Sequence, residues 1–455
     1  MTNRLTAPIT VDGETTRGLL TGPGAPLTWL LLFFPLWWVL GLGGLIFYLV
    51  AVPMAVSLVR RRDIEVPPMF GIWLAFCLVV LVSMSALGLN PANTVAEDWL
   101  GRVPGALYRA AGYLCVTVIT LYAVNLTERE YPRRRLVNLL AWTATVTVAG
   151  GLLGTYWGAL EFTSPVEALL PPSVAADGFV KSLVHPQAAQ IMDFLGYEAP
   201  RPAAPWGYTN TWGNVLAITL GWVVVAAFCF PVRWGWRLAA VALLAIAVIP
   251  TVESMNRGVW FNLALGAVII ALRLTVIGKV WMLGVLALAG TVGLATVLVT
   301  PLGATVMARL DNPHSDDGRE FATSSAIEAV GESPILGFGS TRKAIGSGDS
   351  IVVGPTHDCP RCGGRTLGGN GQLWQVLFAH GLAGVVTYVG FFCAVLWRFR
   401  RDHSAIGIVG SVVMALSLTS MFYYNALVAP AVLTMLVYAL LWRNERDGAL
   451  EGEQR

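Results

Sequence analysis

The sequence of 455 residues is too apolar for a soluble protein. Hydrophobic residues make up 55% of the chain and charged residues 13%, about half the charged fraction of soluble domains, and the mean hydropathy is +0.64. The formal net charge of +3 is too small to indicate a nucleic-acid partner. The composition therefore predicts a polytopic protein surrounded by membrane lipids.

Twelve apolar runs are as long, or nearly as long, as the roughly 20 residues that a spanning helix needs. They cover residues 28–42, 43–59, 69–89, 105–126, 136–157, 212–232, 238–251, 258–272, 280–300, 373–397, 405–422 and 427–441. The first two runs are short and adjoin, so they form either a tight hairpin or one long bent helix. The sequence predicts an all-α membrane bundle of about twelve transmembrane helices.

Polar segments divide the chain into five parts. These are an N-terminal tail at 1–27, transmembrane helices 1–9 at 28–300 with an external loop at 158–211, a large extracytoplasmic loop at 301–372 between helices 9 and 10, transmembrane helices 10–12 at 373–442, and a C-terminal tail at 443–455. Of the 30 Lys and Arg, 19 lie in the two tails and in alternate loops, a bias typical of the cytoplasmic side. The sequence predicts a multi-pass plasma-membrane protein with both termini in the cytoplasm, and no cleavable signal peptide is expected.

The external loop at 158–211 contains one amphipathic stretch. Apolar residues recur at helical spacing between Phe179 and Leu195, but Pro186 lies inside the stretch and would split a helix. The pattern favours a broken helix that lies on the membrane surface or caps the bundle. A gate for substrate is the alternative.

A polar break precedes the eighth apolar run and ends at Arg257. An arginine at membrane depth is costly, so it marks either a functional site or a paired charge. The planar guanidinium matches the geometry of a phosphate. Pairing with Glu253, four residues earlier, is the structural alternative.

The large loop holds a second arginine of interest. Asp317 and Glu320 have the spacing of a helix N-cap and its third residue, with the helix continuing from Phe321 to Val330. Arg319 would then lie in the first turn, where free backbone N–H groups also favour anions. A solvated arginine is the plainer interpretation. The pair Asp316 and Asp317 is more typical of a cap or a solvated turn than of a metal site, and no metal is expected.

The end of the same loop contains two cysteines. Cys359 and Cys362 are expected to form a disulfide, the usual state of paired cysteines outside the cytoplasm, with zinc binding or free thiols as alternatives. Together with His357 they would supply three ligands, whereas structural zinc takes four. His357 is also a candidate general base, because imidazole titrates near neutral pH. His185 is expected to be solvated and His380 to be packed within a helix.

Four motifs follow one another in the second half of the chain. They are Trp212-Gly213-Asn214 at a helix start; Ser254-Met255-Asn256-Arg257-Gly258; Pro334-Ile335-Leu336-Gly337-Phe338-Gly339 after Arg319; and Asn370-Gly371-Gln372 followed by Gly381-Leu382-Ala383-Gly384. Their order, together with the predicted topology, resembles the O-antigen ligase and polymerase superfamily of membrane glycan transferases. The resemblance covers about residues 205–400 by motif.

The resemblance implies a metal-independent, cofactor-free, inverting transfer of a glycan from a polyprenyl diphosphate carrier to a hydroxyl of a glycan or lipid-glycan acceptor. Arg257 and Arg319 match the positions of the family's diphosphate-binding arginines. The position of the family's candidate catalytic histidine falls at Gly369 or Asn370 here. Either His357 supplies the base from the loop, or no base is needed. Secondary substrate contacts are expected from Asn214, Asn256, Arg342 and Asn370.

Two other classes of function stay open. A transporter of a lipid-linked glycan or a small anion would also use membrane arginines, and the break at 252–257 fits the discontinuous helices of transporters. The long loop and the lack of an obvious internal repeat favour the transferase. The third class is a non-catalytic assembly protein that uses the loop around Cys359 and Cys362.

Overall fold

The structure is a computed structural model that describes residues 20–193, 198–311, 315–345, 366–369 and 371–453. Helices make up most of these residues, and each of the twelve predicted apolar runs overlaps a helix. The predicted class, a helical membrane protein, is confirmed. His357, Cys359, Cys362 and Asn370 lie outside the described residues.

The first half of the chain forms helices α1 to α9 and a small sheet. The helices are α1 Ala25–Leu32, α2 Phe34–Val39, α3 Ile46–Val59, α4 Phe70–Ser83, α5 Trp99–Val124, α6 Arg133–Tyr156, α7 Pro165–Leu169, α8 Pro172–Ala175 and α9 Gly178–Val184. A 3₁₀ turn, Met84–Ala86, follows α4. The strands β1 Ala189–Asp193 and β2 Glu198–Pro202 pair antiparallel, with Ala189 opposite Pro202.

The second half forms helices α10 to α19. They are α10 Thr209–Phe228, α11 Trp234–Ile246, α12 Val248–Glu253, α13 Arg257–Val276, α14 Trp281–Val299, α15 Leu302–Asp311, α16 Ser315–Val330, α17 Gln372–Phe399, α18 Ala405–Ser420 and α19 Ala429–Glu453. Two short strands, β3 Arg342–Lys343 and β4 Thr366–Leu367, pair antiparallel between α16 and α17.

Seven helices of the described chain are long and apolar enough to cross a membrane. They are α5, α6, α10, the combined segment Trp234–Glu253 that holds α11 and α12, α13, α14 and α17. Three shorter apolar helices, Ile46–Val59, Phe70–Ala86 and Ala405–Ser420, accompany them. In a bilayer every backbone polar group needs an internal partner, which is why the apolar runs fold as helices.

The segment 158–211 differs from one expectation. Helix α9 ends at Val184, before Pro186, as the proline predicts. The residues after Pro186 do not continue as a helix, because Ala189–Asp193 form a strand that pairs with β2. The predicted helical piece therefore covers only Gly178–Val184.

Helix α10 packs against α6, α18 and α19, and it is the most buried of the seven long apolar helices. Its two tryptophans, Trp212 and Trp222, are completely buried. The indole N–H of Trp212 donates to the carbonyl of Thr147 on α6 at 2.8 Å. A buried indole usually finds such a partner, and this bond fixes α10 against α6.

Arginines pair with carboxylates at one end of the bundle. The ion pairs join Arg61 to Glu130, Arg133 and Arg443 to Glu128, Arg398 to Glu445, and Arg446 to Glu65. We call this region, at residues 60–65, 125–135, 398–402 and 443–446, the paired end. The charge pattern of the sequence assigns all four segments to the same face of the membrane, and their grouping in the structure is consistent with that assignment.

Candidate functional site

A break in helix α17 organises the opposite end of the bundle. Gly381 has a φ of 62° and a ψ of −163°, which interrupt the helix. The segment Pro334–Gly339 satisfies the interrupted backbone: Gly339 N–H donates to Ala379 O at 2.7 Å, and Leu382 N–H donates to Pro334 O at 2.8 Å. A backbone break at membrane depth is tolerated only when protein supplies such partners.

Glycine is required where these two segments meet. A Cβ at Gly381 would lie 2.3 Å from the carbonyl oxygen of Ile335, and the positive φ disfavours any L side chain. The motif Pro334–Gly339 and the glycine of the later motif are thus two parts of one contact. We call the surrounding region the junction end; it comprises residues 83–109, 201–211, 254–257, 334–344, 372–381 and 420–428.

Two arginines of the junction end share the same acceptors. Arg102, which is buried, donates from Nη1 to Leu87 O at 2.7 Å and to Leu89 O at 3.0 Å. Arg342, also buried, donates from Nη2 to the same carbonyls at 3.2 and 3.1 Å. The nearest carboxylate oxygen to Arg102 belongs to the exposed Glu97, at 3.8 Å from Nε. The two positive charges are therefore held together by backbone dipoles.

A third arginine joins this group. Arg109 on α5 donates to Ser340 Oγ at 3.0 Å and to Thr341 Oγ1 at 2.7 Å. Burial, and then the neighbouring Arg102 and Arg109, lower the pKa of Arg342 to about 10. We call Arg102, Arg109 and Arg342 the arginine cluster. The described carboxylates of Glu97 and Asp98 act on Arg102, two carboxylates against three guanidinium groups, so the region attracts anions.

The hydrogen bonds of Arg342 bear on its predicted contact with substrate. Both of its Nη groups already donate to carbonyl oxygens, including Ser340 O at 2.9 Å and Phe338 O at 2.8 Å. These bonds tie the loop after α4 to the segment before β3. The described contacts thus give Arg342 a role in fixing this loop, and its predicted contact with substrate stays a prediction.

The polar break before Arg257 is a tight turn between α12 and α13. Met255 has a φ of 50°, which is uncommon for a residue with a side chain and marks local strain. Asn256 is the N-cap of α13, and its side chain accepts from Gly258 N–H at 3.2 Å. Arg257 is therefore the first residue of a membrane helix, where backbone N–H groups and the helix dipole favour negative charge.

Strand β2 supports this break. Arg201 of β2, which is buried, donates from Nε to Ser254 O at 2.7 Å. That carbonyl lies just after the end of α12, where no further turn of the helix supplies an N–H donor. The contact places the break before Arg257 on the same side of the bundle as β1 and β2.

Asn256 also links several elements of the junction end. Its Oδ1 accepts from Tyr424 OH at 2.6 Å, and its Nδ2 donates to Thr209 O at 3.4 Å. Asn214 is buried on α10 and lines a cavity of about 20 Å³ together with Gln372 and Tyr424. The structure therefore brings Asn214 and Asn256 to one polar region around Tyr424. A cavity of this size has room for about one water.

The helix that contains Arg319 begins earlier than the sequence indicates. Helix α16 runs from Ser315 to Val330, so Asp317 lies inside the helix and the prediction that it is the N-cap is wrong. Arg319 is the fifth helical residue and lies beyond the first turn. Helix α16 packs against α17, whereas the helix of Arg257 packs against α18 and α10. The convergence of Arg257 and Arg319 on one ligand stays a prediction.

Two histidines outside the large loop have definite environments. His380 is buried in α17, as expected, and its Nδ1 lies 2.7 Å from Ser83 Oγ. The expectation that His185 is solvated is wrong, because its Nδ1 lies 2.8 Å from Glu167 Oε2 and the side chain is 13% exposed. The pairing joins residues 18 positions apart across α7 and α9.

Sequence reasoning missed several residues that define this end. No motif of the sequence singles out Arg102, Arg109, Arg201 or Tyr424. Their position was the available signal for two of them. Arg102 and Arg109 lie at the beginning of an apolar helix, where a charged side chain is costly unless it has partners. In the described part of the chain no group of three or more His, Cys, Asp or Glu side chains could hold a metal ion.

The chain matches no protein-family model and no curated protein sequence.

Proposed function

We propose that the chain is a membrane glycosyltransferase of the O-antigen ligase and polymerase type. It would transfer a glycan from a polyprenyl diphosphate carrier to a hydroxyl of a glycan or lipid-glycan acceptor, in the synthesis of cell-surface polysaccharide. The motifs at Ser254–Gly258 and Pro334–Gly339 support this proposal, because both lie at breaks in helices of the junction end.

The observation that carries the proposal is the charge of the junction end. Arg102 and Arg342 share two carbonyl acceptors, Arg109 donates to hydroxyls, and Arg257 begins a helix. A region that concentrates guanidinium groups, two of which share backbone carbonyl acceptors, suits a ligand that brings its own negative charge. A diphosphate on a lipid carrier is such a ligand.

The chemistry needs no group beyond the chain and its substrates. The acceptor oxygen forms a bond to the anomeric carbon while the bond from that carbon to the diphosphate oxygen breaks, so the configuration inverts. The electron pair leaves with the diphosphate, where Arg257 and Arg319 would stabilise the added charge. The proton of the acceptor hydroxyl would pass to His357 as general base, or to the departing diphosphate.

The finer topology is part of the same proposal. We propose twelve spans in the plasma membrane, with both termini in the cytoplasm and the segment 301–372 outside. Single cysteines placed at Ile345 and Ala449 test it with a membrane-impermeant thiol reagent, in a background that lacks the native cysteines. Labelling of position 345 from outside is expected. Labelling of 345 only after the cytoplasmic face is opened would contradict the topology.

Deletion of the gene, followed by mass analysis of the cell-envelope glycans, tests the function. Shorter chains are expected if the protein is a polymerase, and unattached chains of normal length on the lipid carrier if it is a ligase. Wild-type chain length and attachment in the deletion strain would contradict both. Complementation with the intact gene, and with Arg398→Ala from the paired end, provides the controls.

The break at Gly381 also favours a second candidate, a transporter of a lipid-linked glycan or a small anion. Discontinuous helices whose ends face a binding site are typical of transporters. Purified protein in proteoliposomes separates the two candidates. A transferase forms a new glycosidic bond when donor and acceptor are on the same side, whereas a transporter moves the donor across the bilayer and leaves its covalent structure unchanged.

A further inference from the structure

A cavity of about 130 Å³ lies beside the start of α10. It is bounded by the turn between α2 and α3, the end of α9 and the segment 205–211. Two of the residues that line it, Ser182 and Tyr208, are exposed, so the cavity opens to the surface. Its volume is enough for several waters, and thus for one small ring.

Aromatic side chains form much of the cavity wall. Trp38, Tyr108 and Tyr208 are three of the rings that line it. Trp38 packs edge-on against Phe162 with ring centroids 5.9 Å apart, and Tyr108 packs edge-on against Phe179 at 5.4 Å. These contacts with the external loop hold both rings in place, so the aromatic surface exists before any ligand arrives.

The polar part of the wall is a histidine held by a carboxylate. His185 Nδ1 lies 2.8 Å from Glu167 Oε2, and Glu167 is itself fixed in a capping box with Ser164. His185 Nε2 is buried and makes no hydrogen bond to any described residue; Glu161 Oε2 is 3.6 Å away. His185 is thus held between two carboxylates at the edge of the cavity that it lines.

We propose that this cavity binds one ring of a carbohydrate. A sugar ring presents a C–H face that packs on aromatic rings and hydroxyl groups that hydrogen-bond to polar side chains, and the cavity offers both, with Ser182 and Thr211 among its lining residues. A phosphate would be disfavoured by the carboxylates of Glu161 and Glu167, which flank His185. This inference rests on the proposed function, since the ring would belong to the acceptor glycan.

The test is saturation-transfer NMR on the full chain in lipid nanodiscs, with free D-glucose, D-galactose, D-mannose, N-acetyl-D-glucosamine and L-rhamnose as probes. At least one sugar is expected to receive saturation from the wild type. The signal is expected to fall at least about threefold in Tyr208→Ala and to persist in Tyr208→Phe, because the ring supplies the contact.

Tyr156→Ala is the matched control. Tyr156 is 61% exposed at the end of α6 and lies outside the cavity, whereas Tyr208 is 45% exposed. Both substitutions remove an exposed ring, so neither is expected to unfold the chain. Absence of any sugar signal in the wild type, or equal signals in Tyr208→Ala and Tyr156→Ala, would overturn the inference. The assay contains no donor, so a negative result leaves the transfer proposal intact. A sugar signal from a chain that transfers no glycan would in turn support the cavity and contradict the transfer proposal.

Discussion

The two ends of the bundle use arginine in different ways. At the paired end, Arg61, Arg398 and Arg446 each lie within 3.2 Å of a carboxylate oxygen. At the junction end, Arg109 donates to hydroxyl oxygens of described residues, and Arg342 donates to carbonyl oxygens of described residues.

The type of partner decides what each end can do. A carboxylate neutralises a guanidinium and fixes it as a structural link, whereas a carbonyl dipole orients the group and leaves its charge in place. The count of arginines alone would rank the paired end as the better anion site. The partners reverse that ranking, because Arg109 and Arg342 donate to hydroxyl and carbonyl oxygens, which leave their charges in place.

Among the substitutions that test this comparison, Gly381→Ala is expected to have the largest effect, a loss of stability. The new Cβ would lie 2.3 Å from Ile335 O, and the residue would keep a strained positive φ, so we expect a loss of about 1–3 kcal/mol of unfolding free energy. Gly390→Ala is the control in the same helix, since a Cβ there meets no atom within 4 Å.

Thermal unfolding of both variants in detergent measures this difference. Gly390→Ala is expected to match or exceed the wild type, because alanine favours the helix. Equal melting temperatures for the two variants would show that the contact between Pro334–Gly339 and α17 does not hold the junction end together.

The sequence predicted the helices of this chain well and the contacts between them poorly. Apolar length is a local signal, so every apolar run coincides with a helix, and Pro186 correctly ended α9. The sharing of Leu87 O by Arg102 and Arg342 joins residues 240 positions apart, and no local pattern encodes it. Asp317 was misplaced because a capping pattern also occurs inside a helix.

A smaller effect is expected from Arg109→Gln. Removal of one positive charge should weaken the binding of undecaprenyl diphosphate about three- to fivefold at low salt, and the difference should shrink as salt screens the field. Stability should change by less than about 1 kcal/mol, since two hydrogen bonds are weakened while repulsion within the arginine cluster is relieved. Arg398→Gln at the paired end is the matched control, and an equal loss of affinity there would remove the distinction between the two ends.

The most direct test of the central claim is native mass spectrometry of undecaprenyl diphosphate binding. Wild type, Arg257→Ala and Arg257→Lys would be compared with Arg398→Ala, which removes an exposed ion pair worth about 0–1 kcal/mol. Both Arg257 variants are expected to bind at least about tenfold more weakly, because a point charge does not replace a planar fork on a diphosphate. Arg398→Ala is expected to bind as the wild type does. Wild-type affinity in both Arg257 variants would contradict the assignment of the anion site to the junction end.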